Sequence, residues 1–118
     1  MKHFFLSVLL LMSSMVHASE VEIVSAEAEC DKGRYCLFRA TLRHADSGWN
    51  HYANLWQVMT TDGKLLVKRV LYHPHVNEQP FTRNSARIHV PASIKQVVIM
   101  AGDLPNGINS KPYKLNIP

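Results

Sequence analysis

Residues 35–44 read "YCLFRATLRH", and apolar and polar side chains alternate along this stretch. One side would carry Cys36, Phe38, Ala40, Leu42 and His44, whereas the other would carry two arginines and a threonine. Successive side chains of a β-strand point to opposite faces of a sheet, so a period of two predicts a strand with one buried face.

Similar short segments recur before and after this stretch, separated by turn residues. They are "VEIVSAEA", "NLWQVMT", "KLLVKRVLY", "SARIHV", "QVVIMAG" and "YKLNI". Asp62-Gly63 is a strong signal for a tight turn between two strands. About seven strands in about one hundred residues predict an all-β, immunoglobulin-like two-sheet sandwich that forms a single domain at residues 19–118. Trp56 suits the large aromatic that such cores bury.

If these strands run alternately up and down, three loops share one end of the sandwich. The loops are residues 44–54, 73–84 and 102–110. We therefore expect several titratable side chains to converge there, namely His44, His51, His73, His75, Glu78 and Asp103. His89, which lies outside these three loops, should be found elsewhere in the fold.

The first eighteen residues are predicted to be a signal peptide. They combine the basic Lys2, an apolar run and a small-residue exit, so we expect cleavage between Ala18 and Ser19 and a periplasmic or secreted protein. The apolar run is too short to span a bilayer comfortably, and no later segment predicts a membrane span. The residue directly after the predicted cleavage point is Ser19 and not a cysteine, so a lipid anchor is not expected.

Charge and cysteine usage fit an exported domain. The net charge of +4 includes Lys2, and the basic residues are spread along the chain rather than clustered, so nucleic-acid binding is not expected. Cys30 and Cys36 flank a turn segment containing Gly33, which predicts a disulfide in an oxidising compartment. A metal or redox pair is the alternative, but the Cys-x-x-Cys spacing is missing.

Residues 73–83, "HPHVNEQPFTR", concentrate titratable and rigid residues in one short segment. In an extended chain His73 and His75 project to the same side, and Pro74 stiffens the backbone between them. Imidazoles are common ligands of copper and zinc, and a carboxylate can complete such a site or orient a ring. The candidate metal ligands are His44, His51, His73, His75 and Glu78.

The alternative is a loop that braces itself and binds no metal. Glu78 and Arg83 would pair, and Phe81 would close the end of the core. Trp49 and Tyr52 would then either cap the core or, with Arg83, recognise another envelope protein. Both interpretations remain open from the residues alone.

The segments "TLRHADSGWNHYANLWQV", "DGKLL" and "RVLYHPHVNEQPFTR" resemble an uncharacterised family of small exported bacterial proteins. The family shares an R-H-x-D-x-G-W-x-H-Y-A block followed by H-P-H-V-x-E-Q-P-F-T-R, and the resemblance spans residues 41 to about 101. It implies no reaction or ligand. This chain has Gly102 where members of the family carry a histidine before the equivalent of Asp103. The signature positions are Arg43, His44, Asp46, Gly48, Trp49, His51, Tyr52, His73, Pro74, His75, Glu78, Gln79, Pro80, Phe81, Thr82 and Arg83.

These features predict a binding protein rather than an enzyme. No Gly-x-Ser-x-Gly segment, free nucleophilic thiol or closely spaced acid pair is present in the sequence. We expect an exported module whose histidine-rich end binds copper or zinc. The alternative is an accessory sandwich whose loops bind another envelope protein.

Overall fold

The computed structural model describes residues 20–118, which form nine β-strands and no helix. The signal peptide predicted for residues 1–18 lies outside the described residues. Within residues 20–118, no helix has the length and apolar character needed to cross a membrane. The strands are β1 (Glu22–Cys30), β2 (Tyr35–Arg43), β3 (Tyr52–Thr60), β4 (Leu65–Val70), β5 (Phe81–Asn84), β6 (Ile88–His89), β7 (Gln96–Leu104), β8 (Gly107–Ile108) and β9 (Tyr113–Asn116).

The strands form two antiparallel sheets. The first has the order β1-β2-β5, and β6 also pairs with β2. The second has the order β4-β3-β7-β8, and β9 also pairs with β7. The predicted all-β, two-sheet sandwich is confirmed. The two strands beyond the predicted seven are β5, which lies in the predicted loop 73–84, and β8, which lies in the predicted loop 102–110.

The core lies between the inner faces of the two sheets. On β2, the side chains of Cys36, Phe38 and Leu42 are fully buried, as the alternating pattern predicts. From the second sheet, Trp56 on β3 and Ile99 on β7 are equally buried. Burying one large apolar side chain stabilises a fold by about 1.5–3 kcal/mol, so these residues supply much of the driving force.

The fifth strand differs from the prediction. A single strand was expected over residues 85–90, but β5 begins at Phe81 and β6 follows after a break. Ser85 causes the interruption. Its backbone N–H donates to the Phe38 carbonyl at 2.7 Å, and its hydroxyl accepts from the Phe38 N–H at 3.0 Å. A side chain thus replaces one backbone partner of β2, and the last part of the predicted loop 73–84 is strand.

A disulfide and an arginine close one end of the sandwich. Cys30 and Cys36 face each other across β1 and β2 and form the predicted disulfide, with Cα atoms 4.0 Å apart. Arg34 donates to the carbonyls of Ile94 at 3.0 Å and Pro118 at 3.2 Å, which ties the last residue to this end. The candidate site lies at the other end, where β2 and β4 finish.

Candidate functional site

Three connections meet at the end of the sandwich opposite the disulfide. They are the loop 44–51 after β2, the loop 71–80 after β4 and the turn between β7 and β8. The His44 N–H donates to Gln79 Oε1 at 3.0 Å, and the His75 N–H donates to Asp46 Oδ2 at 2.7 Å. Hydrogen bonds therefore hold the first two loops together, and His44 links them to β7.

The His44 ring lies between two buried carboxylates. Its Nδ1 is 2.5 Å from Asp46 Oδ1, and its Nε2 is 2.9 Å from Asp103 Oδ2. None of these three side chains is exposed to solvent. Since buried polar groups cost free energy unless they are paired, this row of three groups is held in a defined geometry.

Asp103 is the carboxylate of the site with the most hydrogen-bond donors. Burial raises its pKa, but hydrogen bonds from Asn106, Asn109 and His44 outweigh burial and hold the pKa below its ordinary value of 3.8. Asn106 Nδ2 donates to Oδ1 at 3.0 Å, and Asn109 Nδ2 donates to Oδ2 at 3.1 Å. Asp103 is thus a fixed negative charge at neutral pH.

Asp46 joins the loops through both of its oxygens. Oδ1 accepts from the Ala53 N–H at 2.9 Å in addition to facing His44, and Oδ2 accepts from the His75 N–H. The carboxylate therefore orients the His44 ring and fixes the middle of the 71–80 loop at His75.

His51 brings a third potential ligand close to this row. Its Nε2 is 3.3 Å from Asp103 Oδ2, and its ring lies edge-on to the His44 ring with centroids 4.8 Å apart. This nitrogen is buried and makes no hydrogen bond, although the side chain as a whole is 30% exposed. His44, His51 and Asp103 each offer one ligand atom, and these atoms lie within 4.8 Å of one another.

His75 is held by ring stacking and by a hydrogen bond. Its ring is stacked on Phe81 with centroids 4.0 Å apart, and its Nε2 accepts from Arg83 Nη2 at 2.9 Å. An arginine only donates, so Nε2 carries no proton and the ring proton of the neutral imidazole is on Nδ1. Burial, then the charge of Arg83 and the neighbouring His73, lower the pKa of His75.

The structure places three of the predicted metal ligands outside the His44, His51 and Asp103 group. His73 is exposed, donates to the Pro74 carbonyl at 3.0 Å and packs against the His75 ring. Glu78 pairs with Arg83 at 3.1 Å. The contacts of His73, His75 and Glu78 are those of the self-bracing loop, and their role as metal ligands stays a prediction. His89 lies towards the disulfide end, opposite Tyr35.

Trp49 and Tyr52 differ in exposure. Trp49 is 67% exposed, whereas Tyr52 is 8% exposed and meets the Trp49 ring edge-on at a centroid distance of 5.9 Å. Tyr52 therefore packs against the edge of Trp49, and of these two residues only Trp49 offers a broad aromatic surface to solvent.

The strand directions in the sequence place Asp103 at this end, but they indicate no role for Asp46 or Asn109. Asp46 stands two residues after His44, a spacing that allows a carboxylate to reach back to the ring, and this signal could have identified it. The glycine at position 102 also has a structural reason. A Cβ there would lie 2.5 Å from the Gly107 carbonyl oxygen, so the close approach of β8 excludes any side chain.

One curated relative resembles most of this chain. It is named a putative lipoprotein, comes from Halomicrobium mukohataei, and is 37% identical over 95 residues. The alignment covers 80% of this chain and 46% of the relative, so the chain spans about half the length of that protein. No protein-family model and no solved structure matches the chain.

Proposed function

We propose that this protein is an exported binding module that holds a divalent transition metal, zinc or copper, with His44, His51 and Asp103. The observation that carries the proposal is the group of three ligand atoms within 4.8 Å of one another, one of which is the buried Nε2 of His51, which makes no hydrogen bond. Two imidazoles and a carboxylate form a donor set that suits these metals.

The separations support coordination. Zinc binds imidazole nitrogen and carboxylate oxygen at about 2.0–2.2 Å, so neighbouring ligands of a tetrahedral site lie about 3.3–3.5 Å apart. Asp103 Oδ2 lies 2.9 Å from His44 Nε2 and 3.3 Å from His51 Nε2. The ion would replace the His44–Asp103 hydrogen bond, and the two imidazoles would adjust to the spacing of a tetrahedral site.

Asp46 would orient the ligand His44 without binding the metal itself. A metal-bound histidine usually donates its other ring N–H to a carboxylate, which fixes the ring and strengthens the ligand. The Asp46–His44 contact at 2.5 Å has this arrangement, since Nδ1 faces Asp46 and Nε2 faces the proposed metal position.

Export is supported by three independent features. The chain begins with a segment that resembles a signal peptide, the domain contains the Cys30–Cys36 disulfide, and the relative from Halomicrobium mukohataei is named a putative lipoprotein. Disulfides persist mainly in oxidising compartments, so the periplasm or the cell exterior is the proposed location.

Metal analysis of the purified protein, followed by calorimetric titration and thermal melts with Zn(II) and Cu(II), tests the proposal. We expect one ion per chain and a raised melting temperature, since a ligand at a hundred times its Kd adds about 2.7 kcal/mol of stability. His51→Ala should abolish both effects without disturbing the buried pair of His44 and Asp103.

His89→Ala and His73→Ala are the matched controls, because each removes an imidazole outside the proposed group. Both variants should bind like the wild type. If instead the double variant His73→Ala, His75→Ala loses binding and His51→Ala keeps it, the ligands belong to the 71–80 loop. If the wild type binds neither metal, the self-bracing loop is the better account.

Recognition of another envelope protein is the second candidate function, and the 67% exposure of Trp49 favours it. Aromatic side chains often supply much of the affinity at protein interfaces. A pull-down from envelope extract should recover a defined partner with the wild type and much less of it with Trp49→Ala. Equal recovery by both proteins would rule out Trp49 as the contact.

A further inference from the structure

We infer that the metal at His44, His51 and Asp103 keeps an open coordination position that takes a neutral nitrogen donor from outside the chain, of the kind a histidine side chain supplies. This inference rests on the proposed function and adds the class of ligand that the site receives.

The number and burial of the ligands argue for an open position. Three protein ligands leave a tetrahedral metal with one free site, as in zinc sites that bind water or substrate. The side chains of His44 and Asp103 have no exposure, whereas His51 is 30% exposed. The His51 Nε2 is itself buried, so an external ligand would reach the metal past the exposed part of the His51 ring.

The charges around the site argue for a neutral ligand. The carboxylates of Asp46 and Asp103 together offset a divalent cation. The guanidiniums of Arg83, which contacts His75, and of Arg43, which precedes His44, are already paired with Glu78 at 3.1 Å and with Glu22 at 3.1 Å. An anion would thus add an uncompensated negative charge beside buried groups, which costs free energy.

The turn that carries His51 also offers a surface that suits a flat ring. Trp49 and His51 belong to one tight turn, in which the His51 N–H donates to the Gly48 carbonyl at 3.1 Å. Trp49 is 67% exposed, so its ring is available to stack on an incoming imidazole. A small hydrated anion gains little from such a surface.

The test uses the protein loaded with Co(II), whose visible spectrum reports the ligands of the metal. Appearance of the cobalt bands checks the proposed function alone. Imidazole should then shift the bands saturably, and it should bind at least about tenfold more tightly than azide, a difference of about 1.4 kcal/mol. Trp49→Ala should weaken imidazole binding and leave cobalt affinity unchanged.

Cobalt content after gel filtration in imidazole distinguishes a ternary complex from stripping of the metal, and loss of cobalt would count against the inference. If azide binds as tightly as imidazole, the claim that the site prefers a neutral ligand is wrong. A spectrum that neither compound changes would show a closed site. If imidazole shifts the cobalt bands only in the His73→Ala variant, His73 itself occupies the fourth coordination position in the wild type. That result would contradict a ligand from outside the chain. Absence of cobalt bands would refute both the proposed function and this inference.

Discussion

The Asp46 carboxylate accepts hydrogen bonds from the backbone of Ala53 and His75 and faces the His44 ring. Asp46→Asn keeps the shape but replaces one acceptor oxygen with a donor, so at least one buried N–H loses its partner. We expect a loss of about 1–3 kcal/mol in the free energy of unfolding, the usual cost of an unsatisfied buried group.

Urea unfolding in the presence of a chelator measures this loss without a contribution from metal. Glu27→Gln is the matched control, because it makes the same chemical change in an exposed pair with Arg39. Surface pairs contribute about 0–1 kcal/mol, so the control should be nearly neutral. Equal effects of the two substitutions would mean that Asp46 does not organise the loops.

His75 makes the stability of the fold depend on pH. Burial, the Arg83 guanidinium and the neighbouring His73 lower its pKa from the ordinary value of 6.5. The unfolded chain therefore binds a proton on His75 at a higher pH than the folded chain does. This contribution to stability is present above pH 6.5 and is lost as the pH falls through the lowered pKa.

His75→Phe keeps the stack on Phe81 and removes the titration. Unfolding measured at about pH 7.5 and about pH 5 should show a smaller difference for this variant than for the wild type. Asp103 does not interfere, since its pKa lies below 3.8. An unchanged difference would assign the pH dependence to other groups.

Among the strands, β2 could be predicted from its sequence, whereas the position of β5, the break between β5 and β6, and the existence of β8 could not. Alternation along β2 reflects burial of every second side chain, and that information is local. The break at Ser85 depends on Phe38, which is distant in sequence, and β8 exists only because the chain folds back onto β7.

At the candidate site, the convergence of the histidines could be predicted from the directions of the strands. The ligand grouping depends on side-chain orientation within the loops, which no sequence period encodes.

The hairpin of β7 and β8 provides a prediction at the scale of elements. In Gly102→Ala, the new Cβ would meet the Gly107 carbonyl oxygen at 2.5 Å, so β8 must move away. Because Asn109 follows β8 and donates to Asp103, the substitution should weaken metal binding and cost about 1–3 kcal/mol of stability.

Gly33→Ala is the control for this prediction, since its Cβ would meet Tyr35 side-chain atoms at an ordinary 3.4 Å. Calorimetric titration and melts of both variants make the comparison. Wild-type metal affinity in Gly102→Ala would show that the hairpin does not position Asp103.

Across the whole molecule, the disulfide and the histidine cluster occupy opposite ends of β2. The strand rises about 3.3 Å per residue, which places Cys36 about 26 Å from His44. A Cys30→Ala, Cys36→Ala variant should lose about 2 kcal/mol of stability, because the bridge closes a short loop. Its metal affinity should equal that of the wild type where it remains folded. A parallel loss of affinity would mean that the two ends are energetically coupled.

The break at Ser85 has a consequence for how this protein opens. Because β5 and β6 pair with β2 separately, β5 and the loop before it can detach as one unit while β6 and the disulfide end stay in place. Such partial openings occur with lower free energies than global unfolding. Backbone amides of β5 should therefore exchange with solvent deuterium sooner than those of β3 and β7. Local unfolding of β5 and the 71–80 loop would expose His44 to solvent while the rest of the domain stays folded.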